Sequence, residues 1–210
     1  MAKRIYLVRH GQTNDNATHT VQNAESVLSS KGEEQAVVLA ERLRHLSFQH
    51  LFVSDYVRTR QTIAPLLPHI LIEPVYTPLA RETKMPSQFV GISNQSEEFQ
   101  AFYKVASEHQ SDPNWRYADE ETFYDVVDRV QKFFELLTTQ EGDVLAVTHG
   151  RFLTYMVMYV ITKGNLTFDI WTQCRHGFET ANTGITVLEY NEKWSDWRLL
   201  TFNDHAHFAE

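Results

Sequence analysis

Two histidines each follow a short apolar segment of the chain and precede a glycine. His10 comes after residues 5–8 and Arg9, and His149 comes directly after residues 144–148. Short runs rich in β-branched residues are typical of buried strands. Ligands bind open α/β sheets at the carboxyl ends of parallel strands. The pattern therefore predicts one site where two imidazoles meet, with Arg9 as a partner for an anion.

Phosphoryl transfer is a chemistry that these residue types could perform. An imidazole can attack phosphorus when one ring nitrogen is unprotonated and the other is held by an acceptor. Arginine matches pairs of phosphate oxygens, and Arg58 follows the second predicted strand near a helix start that also favours anions. Glu82 follows the third predicted strand, where a buried carboxylic acid could protonate a leaving oxygen.

Composition restricts the classes of partner. The chain has 210 residues and a net charge of −8, which argues against a general nucleic-acid or anionic-membrane surface. Its one cysteine, Cys174, allows no internal disulfide and favours a reducing compartment. The N-terminal apolar stretch is too short for a signal-peptide core, and residues 152–161 are too few to span a membrane. We expect a cytoplasmic protein without nucleic-acid or membrane partners. The sequence leaves open whether the chain forms a homo-oligomer.

Strand and helix patterns alternate along the chain. The predicted strands cover residues 5–8, 51–53, 70–76 and 143–148, followed by a hairpin of 185–190 and 197–202. One predicted helix begins at a capping box over residues 30–33. Three further helices are predicted over residues 58–67, 120–137 and 151–161.

This alternation predicts an α/β fold. We expect a three-layer sandwich whose central sheet is mainly parallel, with helices on both faces and the terminal hairpin as an antiparallel edge. No repeat or linker divides the chain, so we expect one domain over residues 1–210. Residues 84–118 are irregular and rich in scattered aromatics. This section is open to two interpretations, plain packing or a lid that covers the pocket and sets substrate choice.

Several short motifs run in a fixed order from the N-terminus to about residue 202. They are Arg9 to Thr13 with Asn16, Leu28 to Ala36, Ser54 to Arg58 with Gln61 and Thr62, Leu79 to Glu82, Val147 to Gly150, and Asn182 to Thr186. In this order they resemble the histidine phosphatase superfamily, the group that includes cofactor-dependent phosphoglycerate mutase. The resemblance implies the phosphoglycerate mutase-like fold.

The resemblance also implies a role for each matched residue. His10 would take the phosphoryl group, and Glu82 would be the general acid. The basic residues that would hold the phosphoryl oxygens are Arg9, Arg58 and His149. The residues that would line the pocket are Gly11, Thr13, Asn16 and Gly150. No metal and no organic cofactor is implied, so the expected partner is a small phosphorylated substrate.

The extended basic substrate loop of the mutases and their long tail are not evident in this sequence. We therefore predict a metal-independent phosphatase that hydrolyses phosphate monoesters through a phosphohistidine. Two alternatives stay open, namely phosphotransfer of the phosphoglycerate mutase type and a weakly active regulatory module that binds phosphorylated ligands.

Three further features need an assignment. Glu73, Glu97 and Glu98 are alternative acids, because the section after Glu82 lacks the glycine-rich stretch of many family members. The tripeptide at residues 175–177 repeats the Arg-His-Gly signature, but no buried strand leads into it, so we expect it outside the pocket. His205 and His207 have no third spaced ligand, so we expect a solvated tail and no metal site.

Overall fold

A computed structural model describes residues 3–109 and 111–208. One six-stranded sheet forms its centre, in the order β3-β2-β4-β1-β5-β6. The first four strands in this order run parallel, and β5 and β6 are antiparallel neighbours at one edge. The strands are β1 Arg4–Arg9, β2 His50–Ser54, β3 Val75–Thr77, β4 Val144–Thr148, β5 Ile185–Asn191 and β6 Asp196–Asp204.

Helices cover both faces of the sheet. They are α1 Asn14–Ala17, α2 Ser30–Leu43, α3 Val57–Ile63, α4 Glu97–His109, α5 Phe123–Thr138, α6 Gly150–Ile161 and α7 Phe168–Cys174. Among the described residues, no helix is both long and apolar enough to cross a membrane.

The pleat of the strands divides the core into two layers. Ile5 and Leu7 on β1 pack with α5 and α6, whereas Tyr6 and Val8 on the same strand pack with α2 and α3. Successive side chains of a strand point to opposite faces, so one apolar run supplies both cores. The expected three-layer α/β sandwich with an antiparallel edge is confirmed.

Some predicted boundaries were wrong. The helix predicted over 58–67 ends at Ile63, and a 3₁₀ turn follows over Leu67–His69. The strand predicted over 70–76 shrinks to Val75–Thr77, because Pro74 cannot donate to a strand ladder. The cap of α2 is Ser29, whose hydroxyl accepts from the Gly32 amide at 3.1 Å, and the predicted box began one residue later.

The section over 84–118 contains a helix that the pattern did not predict. Helix α4 carries Phe99 and Phe102, which pack with Phe89 into a third apolar cluster, separate from the two core layers. The edge-to-face contact of Phe89 and Phe99 has ring centroids 5.5 Å apart. The scattered aromatics thus pack against one another in a cluster of their own.

Candidate active site

The register of the sheet brings the two histidines together. Arg9 on β1 is the partner of Thr148 on the parallel neighbour β4, so the next residues, His10 and His149, leave the sheet side by side. Their ring centroids are 5.1 Å apart at an interplanar angle of 61°. The hydroxyl oxygen of Ser54, at the end of β2, lies 2.8 Å from Nε2 of His149. Three neighbouring strand ends therefore build the floor of one site.

His10 is held with its Nε2 free of a proton. Its Nδ1 lies 2.7 Å from the carbonyl oxygen of Gly11, and a carbonyl only accepts, so Nδ1 carries the proton. Nε2 accepts a hydrogen bond from Nε of Arg58 at 3.3 Å. Burial, then the charges of Arg58 and Arg9, hold the pKa of His10 well below its ordinary value. At neutral pH the ring is therefore a neutral imidazole with a lone pair on Nε2.

The loop after β1 is fixed by contacts from three other segments. The Gly11 amide donates to the hydroxyl of Thr62 on α3 at 2.9 Å, and the side-chain amide of Asn182 donates to the His10 carbonyl at 2.9 Å. A Cβ at Gly11 would lie 2.7 Å from the carbonyl oxygen of Gly32 in α2. Only glycine fits this approach, so the position of His10 depends on how closely α2 packs.

Arg58 is a buried cation beside the nucleophile. Its Nη1 donates to the carbonyl oxygen of Asn23 at 2.7 Å, and its guanidinium lies 4.9 Å from the centroid of the Tyr56 ring. Burial lowers the pKa of Arg58 to about 10. The group stays charged at neutral pH, so it can hold an anion next to Nε2 of His10.

Arg9 and His149 each contain a buried nitrogen without a hydrogen-bond partner among the described residues. These atoms are Nε of Arg9 and Nδ1 of His149. Arg9 also donates through Nη1 to the carbonyl oxygen of Thr180. Burial lowers the pKa of both groups. Buried polar groups normally have a partner, so both nitrogens suit an acceptor that enters the site.

Glu82 binds to the start of helix α6. One carboxylate oxygen accepts from the amides of Thr83 and Phe152 at 2.8 and 3.0 Å, and the other accepts from the Arg151 amide at 3.1 Å. The amides at the N-terminus of a helix have no partner within the helix. Glu82 therefore both lines the site and holds α6 to it.

An open cavity of about 920 Å³ lies over His10. Arg9, Arg58 and Glu82 line it as predicted, and Asp15 adds a carboxylate that no sequence motif indicated. The predicted alternative acids are not on its wall. Glu97 and Glu98 are exposed in the first turn of α4, and Glu73 is exposed before β3, towards the other end of that strand.

The remaining predicted pocket residues differ in what they face. Asn16 lines the cavity, whereas Thr13 is fully buried and its hydroxyl accepts from the Asn16 amide at 3.0 Å, which caps α1. Gly11 and Gly150 contribute backbone. A Cβ at Gly150 would lie 3.0 Å from Nε of Arg9, so this glycine leaves room for the arginine.

A side cavity of about 270 Å³ shares Arg9 and Glu82 with the main cavity. Arg151 lines both, and Arg175 lines the side cavity. The expectation that residues 175–177 lie outside the pocket holds for the main cavity over His10, but Arg175 and His176 line the side cavity. This tripeptide forms a 3₁₀ turn after α7, and the packing of α7 brings it to the site without a strand.

Other residues had weak or absent signals in the sequence. Tyr103 on α4 lines both cavities, and the spacing of the aromatics at 99, 102 and 103 was the only sign that they share a helix face. His207 is close to Arg42, with 2.9 Å between Nδ1 and Nη1. Within residues 3–109 and 111–208, no three histidine, cysteine, aspartate or glutamate side chains form a group that could hold a metal.

Comparison with known proteins places this chain in a family. The family model of the histidine phosphatase superfamily (branch 1) matches residues 5–205. A probable phosphoglycerate mutase, GpmB, of Shigella dysenteriae is 28% identical, with 97% of this chain and 94% of that protein covered. A probable phosphatase of Schizosaccharomyces pombe is 29% identical, with the same shares covered.

Solved structures share the fold. A mycobacterial glucosyl-3-phosphoglycerate phosphatase superposes with a TM-score of 0.77 at 23% identity, covering 97% of this chain and 99% of that one. A phosphoserine phosphatase of Entamoeba histolytica, solved with 3-phosphoglyceric acid, superposes with a TM-score of 0.76 at 17% identity, covering 98% of each chain.

Proposed function

Because the chain belongs to the histidine phosphatase superfamily, we propose that it hydrolyses phosphate monoesters without a metal ion, through a phosphohistidine on His10. The observation that carries this proposal is the hydrogen bond from Nδ1 of His10 to the Gly11 carbonyl at 2.7 Å. It holds the ring in the tautomer whose Nε2 lone pair is available to attack phosphorus.

The proposed reaction has two displacements. In the first, Nε2 of His10 forms a bond to phosphorus while the ester P–O bond breaks, and the leaving oxygen takes a proton from Glu82. In the second, water attacks the phosphohistidine, gives a proton back to Glu82 and releases inorganic phosphate, which restores the imidazole. Glu82 suits this role because it is the predicted acid that lines the cavity over His10.

The basic groups around His10 would supply the positive charge that phosphoryl transfer needs. Arg58 is buried beside Nε2, and the unpartnered nitrogens of Arg9 and His149 are donors for the non-bridging oxygens. His149 can donate from Nδ1 when its Nε2 accepts from the Ser54 hydroxyl at 2.8 Å. These donors would bind the phosphoryl group in place of a divalent ion.

Residues 84–118 would act as a lid over this reaction. Phe99, Gln100 and Tyr103 of α4 line the main cavity, opposite the strand ends that hold His10. The cluster of Phe89, Phe99 and Phe102 is separate from the two core layers, so this section packs mainly on itself.

Two alternatives make different demands on the site. A regulatory module that only binds phosphorylated ligands has no need for a nucleophile, yet His10, Arg58 and His149 are all in place. A mutase must keep its phosphoenzyme from water, whereas the cavity over His10 is open and about 920 Å³ in volume. Both observations favour hydrolysis.

A panel of phosphate monoesters, assayed with a chelator present, tests the proposal. The panel contains p-nitrophenyl phosphate, sugar phosphates, phosphoglycerates and nucleotides. We expect release of inorganic phosphate that is insensitive to EDTA. Activity that disappears with EDTA and returns with a divalent ion would contradict the metal-free mechanism. Rapid interconversion of 2- and 3-phosphoglycerate with little free phosphate would favour the mutase.

A further inference from the structure

Two arginines next to the proposed site have no acidic partner. Seven of the arginines in the described residues form ion pairs with carboxylates: Arg4, Arg42, Arg44, Arg81, Arg116, Arg129 and Arg198. Of the five others, Arg60 stacks on the Tyr76 ring at 4.0 Å. The remaining four are Arg9, Arg58, Arg151 and Arg175, and all of them line the two connected cavities.

We propose that Arg151 and Arg175 form a second anion-binding subsite, which selects phosphate monoesters whose leaving group carries another negative charge. The second charge is a carboxylate or a second phosphate, since arginine binds both through paired hydrogen bonds. The proposal rests on the phosphatase function argued above and names its class of substrate.

Arg175 is held in place but not neutralised. Its Nη2 donates to the hydroxyl of Tyr103 on α4 at 2.9 Å, and its Nε is buried and has no hydrogen-bond partner within the described part of the chain. Among the residues that the structure describes, the Arg151 side chain has one acceptor, the weak Met85 sulfur, 3.7 Å from its Nη1. Both guanidinium groups therefore keep donors available for a ligand anion.

Three carboxylates near the two arginines are already hydrogen-bonded to other groups. Glu82, the only acidic residue on the wall of the side cavity among those described, accepts from three backbone amides. Glu121 accepts from Nε and Nη2 of Arg129, each at 2.7 Å. Glu120 accepts from the amides of residues 117 and 118. The side cavity thus holds an excess of positive charge.

The position of the side cavity assigns it to the leaving group. Glu82 lies on the wall of both cavities, and in the proposed reaction it faces the leaving oxygen. A leaving group that extends past Glu82 enters the side cavity and meets Arg151, whose backbone amide binds Glu82, and then Arg175. Tyr103 joins the subsite to α4 through its hydrogen bond with Arg175.

Two matched pairs of substrates test the subsite. The first pair is 3-phosphoglycerate and glycerol 3-phosphate, which differ by a carboxylate in place of a hydroxymethyl group. The second pair is propane-1,3-diol bisphosphate and 3-hydroxypropyl phosphate, which differ by the second phosphate. For each pair we measure kcat/KM of the member with the second anionic group, divided by kcat/KM of the member without it. This ratio is compared between the wild type, Arg151→Gln, Arg175→Gln and the double variant.

We expect the wild type to prefer the charged member of at least one pair, and the size of the two ratios tells carboxylate from phosphate. Each single variant should lower the larger ratio by about 10- to 100-fold, as expected for one lost charge-assisted hydrogen bond. The change should lie mainly in KM. Arg44→Gln removes the same charge far from the cavities and should leave both ratios unchanged.

Binding keeps the test independent of turnover. Dissociation constants of the same four compounds are measured by calorimetry with His10→Ala, with and without the two arginine changes. If no compound is hydrolysed by the wild type but the charged members bind more tightly through these arginines, the phosphatase proposal fails and the subsite stands. If neither charged member is preferred, or if the arginine variants leave both ratios unchanged, the subsite is overturned.

Discussion

Burial of two imidazoles beside two guanidinium groups determines the chemistry at the scale of single residues. Protonation of His10 would place a third positive charge against Arg9 and Arg58, and burial opposes that charge as well. The ring therefore stays neutral in the free protein. An anion that enters the site would offset the positive charge of Arg9 and Arg58.

His10→Ala should reduce turnover of every substrate by at least about 10³-fold, because it removes the Nε2 lone pair that lies beside Arg58 in the cavity. Wild-type protein quenched with ³²P-labelled substrate should retain an acid-labile, base-stable label that the variant lacks. His45→Ala, at an exposed position outside both cavities, is the control and should behave as the wild type. Label on a serine or an aspartate would place the nucleophile elsewhere.

Glu82→Gln should separate acid catalysis from positioning. A sugar alkoxide needs a proton to leave and p-nitrophenolate does not, so hydrolysis of a sugar phosphate should fall by about 10²–10⁴-fold and that of p-nitrophenyl phosphate by much less. Equal losses for both substrates would show that Glu82 only holds the N-terminus of α6. Thermal unfolding of the variant measures that second role. The NH₂ group of the glutamine replaces a carboxylate oxygen and cannot accept from the backbone amides, so the melting temperature should fall.

At the scale of elements, helix α2 positions the loop that follows His10, although none of the proposed catalytic residues lies on this helix. The N-terminus of α2 lies against the loop of Gly11 and Gln12, and the Ser29 amide donates to the Gln12 carbonyl at 2.9 Å. Gln35 on the same helix accepts from the Gln12 amide at 2.8 Å. Residues 17 and 23 positions further along the chain than Gln12 thus fix the loop that follows His10.

Gly32→Ala should therefore impair the site from a distance. The added Cβ would lie 2.0 Å from the Gln12 carbonyl oxygen, so the backbone on one side must move. We expect a loss of about 1–3 kcal/mol of folding free energy, as for other overpacked positions, and a lower kcat for all substrates. Urea unfolding and steady-state kinetics measure both effects.

Gly177→Ala is the matched control for that change, because its added Cβ meets nothing within 4 Å. Its folding free energy should stay within about 0.5 kcal/mol of the wild type, the usual range for surface substitutions. A Gly32→Ala protein as stable and as active as the wild type would contradict the close packing of α2 against the loop.

At the scale of the whole molecule, the buried histidines should make folding sensitive to acid. The folded protein holds the pKa of His10 and His149 below the ordinary value of 6.5, so the unfolded chain binds more protons just below that pH. Stability should be fully present above about pH 7 and decrease as the pH falls below 6.5. Each histidine should contribute about 1 kcal/mol of that loss between pH 6.5 and 5.5.

Urea unfolding of the wild type and of the double variant His10→Asn, His149→Asn between pH 7.5 and 5.5 measures this dependence. The variant should lose less stability over the range, whatever its stability at pH 7.5. His207, whose pKa burial lowers to about 4, contributes in the same direction and is present in both proteins. Equal pH slopes for the two proteins would show that the buried pair titrates normally.

The local sequence was sufficient for the sheet and for the residues at its strand ends. Apolar runs of four to six residues predicted the strands that precede His10 and His149, because the pleat and burial act over the nearest neighbours in the chain. Boundaries near Pro74 and the cap at Ser29 shifted by a few residues, since local signals place an element better than its ends.

Only the tertiary structure decided what surrounds the nucleophile. Arg175 reaches the side cavity because Trp171 of α7 stacks on Tyr155 of α6 with ring centroids 3.6 Å apart, and neither residue has a periodic relation to His10. The motif after His10 predicted that Thr13 lines the pocket, but its side chain caps α1 instead. A sequence pattern reports which face of an element is buried, whereas a distance between two elements depends on how their surfaces pack. The residue types at the strand ends were therefore readable in the chain, and the arginines of the proposed second subsite were not.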